Sequence, residues 1–545
     1  MSALKLSNEG LKNRADWEAK GFHLPAFDRE AMIAATKANP FWVHFGAGNI
    51  FRAFHAADVQ KELEAGTLDR GIIVAEGFDY EIVSKQYRPH DDLSVLVTLK
   101  GDGSIEKTVV GSIAESCILD SQDEAEYSRL LEIFRAPSLQ MATFTITEKG
   151  YSLTGRDGSL LPDVAKDLEE GPARPASYIG KVASLLHARY AAGRLPIAMV
   201  STDNCSHNGD KLKAAMTAFA EGWTKNGKAD ADFLAYVNDP ACVSFPWSMI
   251  DKITPRPDAS VQEILKQDGL ADLEPVITSK KTYVAPFVNA EETEYLVIED
   301  AFPNGRPDFK VAGFYFTERE TVDRVEKMKV CTCLNPLHTS LAVFGCLLGY
   351  DKISEEMKDA DLLALVQKVG YKEGLPVVVN PGILDPKEFI DTVLQVRVPN
   401  PFMPDTPQRI ATDTSQKLAI RFGETIKAYQ ADPALDSASL RGIALVEAGW
   451  LRYLTAIGDD GKEFELSPDP MLESLAPTAA ALKALFGKAD RAAVEAAAAP
   501  VLAETRIFGA DLAAAGLVPQ ILDDLTAMLA GPGAVRKVLH EAVQA

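Results

Sequence analysis

The 545-residue sequence predicts an α/β N-terminal half followed by a mainly α-helical C-terminal half. Three observations carry this. A strand, a glycine turn, a helix and a second strand follow one another from residue 41. Short strand-like apolar runs recur up to residue 316, and from residue 317 the pattern is almost wholly helical. With 47% apolar and 25% charged residues, the chain is long enough for two or three domains of about 100 to 250 residues each. The expected domains are 1–316 and 317–545.

Residues 1–39 are polar with helical pieces such as Arg29 to Lys37, and end at Asn39-Pro40. Phe41-Trp42-Val43-His44-Phe45 is the first strand. Gly46-Ala47-Gly48-Asn49-Ile50-Phe51-Arg52 turns into a helix expected from about Ala53 to Ala65, and Gly71 to Glu76 is the second strand. This order is the first half of a dinucleotide-binding unit: Gly46 and Gly48 let the backbone turn tightly and approach a pyrophosphate, whose charge sits at the helix N-terminus. Phe51 stands where a third glycine is usual. Glu76, 28 residues after Gly48, can accept from an adenosine ribose and disfavours a 2'-phosphate, which points to NAD rather than NADP. The N-terminal half is therefore expected to be an α/β Rossmann-type domain.

Leu93 to Thr98 and Thr108 to Ile113 alternate like strands, and Met141 to Thr147 is another, ending at Glu148-Lys149-Gly150-Tyr151. Ligands of open parallel sheets bind at the carboxyl ends of strands, which puts Thr147 and Glu148 near a nicotinamide. A helix is expected over 178–193 and a strand over 195–201, the latter ending in Thr202-Asp203-Asn204-Cys205-Ser206-His207. Phe245 to Pro257 reads as a proline-punctuated loop with Asp251 in its middle, and 282–316 as short strands closing the domain.

The C-terminal half opens with a Thr317-x-x-Glu320 capping box and an apolar stripe of Val322, Val325 and Met328. Glu326 and Lys329, three apart, share a face of that helix. Pro336 pushes Asn335 out of helical geometry, so Asn335 reads as the cap of a new helix with His338 on its first turn. The positive end of that helix favours developing negative charge among Lys329, Asn335 and His338. Further on, Arg397 and Asn400-Pro401 interrupt the helical pattern, and residues 476–545 are Ala-rich amphipathic helices.

Composition excludes several classes. The six cysteines are scattered apart from Cys331-Thr332-Cys333, which suggests reduced thiols that pack rather than a disulfide framework or a metal knuckle. The N-terminus has no apolar signal core and no window approaches the ~20 apolar residues of a membrane span, so a cytoplasmic protein without membrane contact is expected. The net charge of −22 repels nucleic acid, and any anionic ligand needs a local cationic pocket.

In the order glycine turn, Asp203-Asn204 cluster, Phe245–Pro255 loop and lysine, asparagine and histidine stretch, the chain resembles the long-chain polyol dehydrogenases. This is the mannitol dehydrogenase family, which includes fructuronate and tagaturonate reductases. The resemblance covers nearly the whole chain and implies a Rossmann-type domain binding NAD(P), a helical C-terminal domain with a catalytic lysine, and no metal. It implies Lys329 as general acid/base, with Lys327 in reserve, and Glu326 as the partner relaying its proton. Asn335 and Asn204 would be the amides holding the reacting oxygen and His338 the residue orienting the substrate. Asp251 matches the loop acid, and Arg397 with Asn400-Pro401 the substrate segment continuing into Asp405, Arg409 and Lys417. Two departures stand out: Asn-Pro-Leu-His replaces the family's Asn-Gly-Ser-His, and five residues instead of four separate Lys329 from Asn335. A bulge or break before Asn335 would absorb the extra residue.

Arg397, Arg409, Lys417 and His207 are candidates for a substrate carboxylate. With the Asn-Pro-Leu-His variant they direct the expectation to a sugar acid: NAD-dependent interconversion of D-mannonate and D-fructuronate by a monomer or small homo-oligomer. Mannitol 2-dehydrogenase and tagaturonate reductase activities are the alternatives within the class. A non-enzymatic NAD sensor would have no use for a poised lysine, and an NAD-dependent glycosidase would need a divalent metal on ligands such as Cys333 and His338.

Overall fold

The structure is a computed structural model that describes residues 3–544. The chain divides into two compact units, residues 1–100 with 104–323, and residues 101–103 with 324–545. The break expected at 316/317 falls seven residues earlier, before the first turn of the helix that begins at Arg319.

Six parallel strands organise the first unit: β1 (Trp42–Phe45), β2 (Ile72–Glu76), β3 (Ile113–Ile118), β4 (Met141–Phe144), β5 (Ile197–Ser201) and β6 (Val243–Ser244), in spatial order 3-2-1-4-5-6. β1 sits between β2 (Val43 opposite Ile73) and β4 (Val43 opposite Ala142), so the order reverses beside β1. Alternation sends Val43 and Phe45 into an apolar core on one face and Trp42 into the core on the other. Both faces are covered, which is why the strands read as near-continuous apolar runs. α1 (Ala56–Glu64) follows β1, entered through a π-turn at Phe51–His55. α2 (Asn208–Lys225) follows β5.

Other strands depart from expectation. Residues 108–113 are not one strand: Ile105–Val110 pairs antiparallel with Ser94–Leu99 in a separate four-stranded sheet, and the chain crosses at Gly111-Ser112 into β3. Alternation is the same in both sheets, so the sequence pattern hides the crossing. The proline-punctuated stretch contains a strand, β7 (Ser248–Asp251), paired antiparallel with Tyr295–Glu299, so Asp251 lies at a strand end. Thr317 belongs to a strand opposite Glu299 and caps no helix; Glu318 precedes the first turn instead.

The second unit is helical. Its cysteine-bearing stretch lies between α3 (Arg319–Met328), which begins in the first unit, and α4 (Asn335–Leu348). The run Arg319–Leu348 is long and apolar enough to cross a membrane, contrary to the reading that no window was. Its apolar window is 78% buried, as in a core helix. α5 (Arg441–Tyr453) is buried along its whole length, and the Ala-rich tail forms helices that bury residues such as Leu482, Val494, Ile521 and Leu539.

Two histidines lie in the core behind the glycine turn. Trp42 Nε1 donates to Thr143 Oγ1 at 2.7 Å, and the His44 ring bridges Thr143 Oγ1 (Nδ1, 2.6 Å) and Thr145 Oγ1 (Nε2, 2.8 Å). His55 lies 4.6 Å from His44, ring to ring, and neither of its nitrogens has a hydrogen-bond partner among the described residues. Burial, and for His44 also the neighbouring His55, holds both below the ordinary imidazole range, His55 at about 3. A lowered folded pKa means that unfolding takes up protons below about pH 6.5, so stability is lost as pH falls. His55→Leu should therefore lose less stability than wild type between pH 6 and pH 4 by up to about 1.4 kcal/mol per pH unit, read from urea midpoints. Parallel curves for the two proteins would refute this.

Candidate active site

In the first unit the site-bearing turns all lie at the carboxyl ends of strands, around the reversal beside β1. Gly46 has φ +114°, and a side chain there would run into the Thr145 carbonyl, so only glycine fits. Gly48 is exposed and a Cβ on it would meet nothing, so main chain at the helix N-terminus faces open space. That suits a diphosphate approached by backbone N–H groups.

Glu76, 5% exposed, holds this turn. Its Oε2 accepts from Ala47 N at 2.8 Å, and its Oε1 from Phe78 N at 2.7 Å and Asp79 N at 3.0 Å. A carboxylate offers about four acceptor sites, so one remains for a ribose hydroxyl. Tyr87 OH donates to Ala47 O at 2.9 Å from the other side.

Two of the residues expected to touch the cofactor instead build the turn. Phe51 is fully buried and stacks on His44 at 4.7 Å; the π-turn at Phe51–His55 seats a phenyl ring where glycine usually permits close packing. Arg52, 1% exposed, donates to Ala285 O at 2.7 Å, Ser94 Oγ at 3.2 Å and Asn49 Oδ1 at 2.9 Å. It is a strut between the turn and the second sheet, and it also fixes the Asn49 side chain. Ile50 is half-buried.

Past β4, Thr147 has φ +64° and ψ +157°, a region almost reserved for glycine. Asp203, which the sequence offered only as a neighbour of Asn204, over-determines that conformation. Its carboxylate accepts from Ile146 N and Thr147 N, both at 2.9 Å, and from Tyr151 OH at 2.6 Å. Asn204 itself is exposed at the end of β5, and Glu148 is exposed and paired with Lys211 at 2.8 Å. Buried Asn208 ties this end to β7, donating to Asp203 O and Ser248 O at 3.0 Å each and accepting from Ser248 N at 3.0 Å; β7 ends in Asp251, 5% exposed. His207 does not wait for an anion: it stacks on Trp247 at 4.0 Å with Nε2 3.2 Å from Asp323 Oδ1.

In the second unit the extra residue between Lys329 and Asn335 is absorbed by a π-turn at Lys329–Cys333, closed by Leu334 N donating to Lys329 O at 3.1 Å. A π-bulge accommodates one added residue without ending the helix. Leu334 (φ −131°, ψ −61°) is the cap of α4, with Asn335 and Pro336 in its first turn, so the cap lies one residue before the expected Asn335. Lys329 is 4% exposed, Glu326, Asn335 and His338 are half-buried, and Lys327 is exposed. Cys333 directs its thiol to Pro386 O at 3.7 Å, and burial raises the pKa of both Cys331, to about 11, and Cys333.

The expected substrate cations diverge. Arg397 (4% exposed) ends a π-turn at Val393–Arg397, near buried Asn400, whose Oδ1 accepts from Phe402 N at 3.0 Å. Arg409 has a 66% exposed side chain paired with Asp405 at 3.2 Å, so it is a surface ion pair. Lys417 is bound to the carbonyls of Thr412 and Ile410 and pins its own loop.

A parallel sheet of this order, a glycine turn ending in an acidic clamp, and a buried lysine on a helical unit define a two-domain dehydrogenase. The chain belongs to the mannitol dehydrogenase family: the mannitol dehydrogenase Rossmann domain matches residues 41–311, and the mannitol dehydrogenase C-terminal domain matches residues 321–529. It is 50% identical over 542 residues to a D-mannonate oxidoreductase of Thermotoga maritima, covering 99% of both chains. It is 29% identical to a mannitol 2-dehydrogenase of Cereibacter sphaeroides, covering 80% of this chain and 84% of that one. Among solved structures, the Pseudomonas fluorescens mannitol 2-dehydrogenase ternary complex with NAD and D-mannitol matches with TM-score 0.65 and 25% identity over 99% of both chains.

The Asp203 clamp makes a double-mutant prediction. Asp203→Asn cannot accept from both main-chain N–H groups and the tyrosine, so the strained turn relaxes and kcat/KM falls by roughly tenfold to a hundredfold. In a Thr147→Gly background, where the conformation carries no strain, the same substitution should cost about threefold or less. Equal losses in both backgrounds would show that Asp203 does not act through Thr147.

Proposed function

We propose that the protein is an NAD-dependent oxidoreductase that interconverts D-mannonate and D-fructuronate, with Lys329 as the acid/base. The observation that carries it is Lys329 itself: an amine 4% exposed, in a π-turn that leads into the helix bearing Asn335 and His338. A solvated surface lysine has no reason to be placed there, whereas proton transfer to a reacting oxygen needs a desolvated, positioned donor. The sugar-acid assignment is supported by the 50% identity to a D-mannonate oxidoreductase.

The Gly46–Gly48 turn would hold NAD, which would supply the hydride acceptor in oxidation and, as NADH, the donor in reduction. The chain's own residues handle charge and protons. During ketone reduction negative charge builds on the carbonyl oxygen; Asn335 donates to that oxygen, and Lys329 protonates it. In the reverse direction the Lys329 amine takes the hydroxyl proton, and Glu326, one helical turn away, relays it onward. His338, on the first turn of α4, orients the substrate.

A neutral-polyol activity is the second reading, supported by the 29% identity to a mannitol 2-dehydrogenase. NADH oxidation should be fastest with D-fructuronate, ahead of D-tagaturonate and D-fructose, and D-mannonate should reduce NAD in the reverse assay. Turnover of fructose alone refutes the sugar-acid assignment. Lys329→Ala should lower kcat by about a thousandfold with NADH binding retained, the usual scale for a lost general acid. A Lys329→Ala protein within a few-fold of wild type would remove the lysine from the mechanism.

A further inference from the structure

We infer that Arg421 binds the substrate's carboxylate and sets the preference for a sugar acid over a neutral polyol. The inference rests on the proposed sugar-acid reaction and assigns its specificity to one side chain.

Arg421 lies on a π-turn at Ala419–Gly423 that packs against the Lys329–Cys333 turn and against α4. The backbone of this turn is fixed from behind: a side chain on Gly423 would run into the Phe508 carbonyl, and one on Gly509 into Ala419. The guanidinium is thereby presented from a rigid support. Its Nη1 donates to Thr339 Oγ1, and that hydroxyl donates to Asn335 O at 3.1 Å. Thr339 directly follows His338, so the guanidinium is joined by one hydroxyl to the turn carrying the two residues assigned to the reacting oxygen and the substrate.

What distinguishes Arg421 is that no carboxylate answers it. Among the described residues it forms no ion pair: Glu424, the acid three residues on, is paired with Lys427. Its pKa is lowered to about 10 by burial, with no acid opposing the shift. A guanidinium desolvated without a counter-charge is costly unless a ligand supplies one, and only one of its five N–H groups is used on Thr339. The rest of the planar fork matches a carboxylate, which a sugar acid has and a polyol lacks. Three of the other candidate cations are occupied: Arg409 by Asp405, Lys417 by main-chain carbonyls, and His207 by Asp323 and Trp247.

The test is a substrate comparison on the intact protein. Arg421→Gln should lower kcat/KM for D-fructuronate by about a hundredfold, mainly through KM, the scale for hydrogen bonds to a charged group. Its kcat/KM for D-fructose and its NADH affinity should stay within about threefold of wild type. Arg421→Lys, which keeps the charge without the fork, should recover about tenfold of the loss on fructuronate. Equal losses on both ketoses, or none on fructuronate, would overturn the assignment. Should Arg421→Gln fail to fold, Arg421→Lys carries the same comparison, an acid-selective loss supporting the role and an even loss refuting it. Should the wild-type protein turn over neither ketose, the proposed reaction is wrong, and calorimetric binding of D-mannonate against D-mannitol to the NADH complex still reads Arg421: acid-selective binding lost in Arg421→Gln supports it, and unchanged binding refutes it.

Discussion

The nucleotide half depends on one buried carboxylate. Glu76 accepts three main-chain N–H groups, one from the glycine turn and two from the loop after its own strand. Charge-assisted bonds of this kind are roughly twice as strong as neutral ones. They join the ends of β1 and β2 across the place where the sheet order reverses. The Gly46 conformation, the exposed main chain at Gly48 and the direction of the following helix all follow from that tie. Tyr87 and Arg52 brace the same turn from other sides. The acid therefore builds the glycine turn and keeps one acceptor site unused by these three bonds.

The helical unit solves a different problem with a different device. One residue more than the family spacing would rotate Lys329 by about 100° on a continuous α-helix. The π-turn at Lys329–Cys333 takes up that residue locally, so the lysine and α4 keep separate, rigid supports. The same device recurs at Val393–Arg397 and Ala419–Gly423, where it carries Arg397 and Arg421. A π-turn widens the helix at one point and leaves backbone groups off the regular ladder, a form frequent at functional sites. Here it places long cationic side chains on backbone that flanking helices hold still.

Much of this was legible in the sequence wherever the constraint is local. The glycine turn, Glu76 and the Lys329–Asn335–His338 stretch are readable because turn geometry, strand ends and helix breaks depend on residues a few positions apart. The cations were not. Arg409 and Lys417 sit in the expected segment, yet an acid four residues away takes one and two carbonyls of its own loop take the other. Arg52 lies beside the turn but reaches to Ala285, 233 positions away. His207 is drawn to Asp323 and Trp247. A long side chain chooses its partner in space, and no local pattern records that choice. Asp203 and Arg421 went unread for the same reason: one is defined by the strained turn it clamps, the other by having no carboxylate partner among the described residues.

By itself the sequence determined the class of architecture and the strand, glycine turn, helix and strand order that opens the first unit. Hydrophobic period, glycine placement and proline punctuation act over one or two turns and are written directly in the residues. Only the tertiary structure decided that the extra residue becomes a π-turn, that residues 108–113 divide between two sheets, and which charges are neutralised. Those outcomes depend on burial and on partners brought together from distant positions, where desolvation makes each unmatched charge or hydrogen bond weigh most.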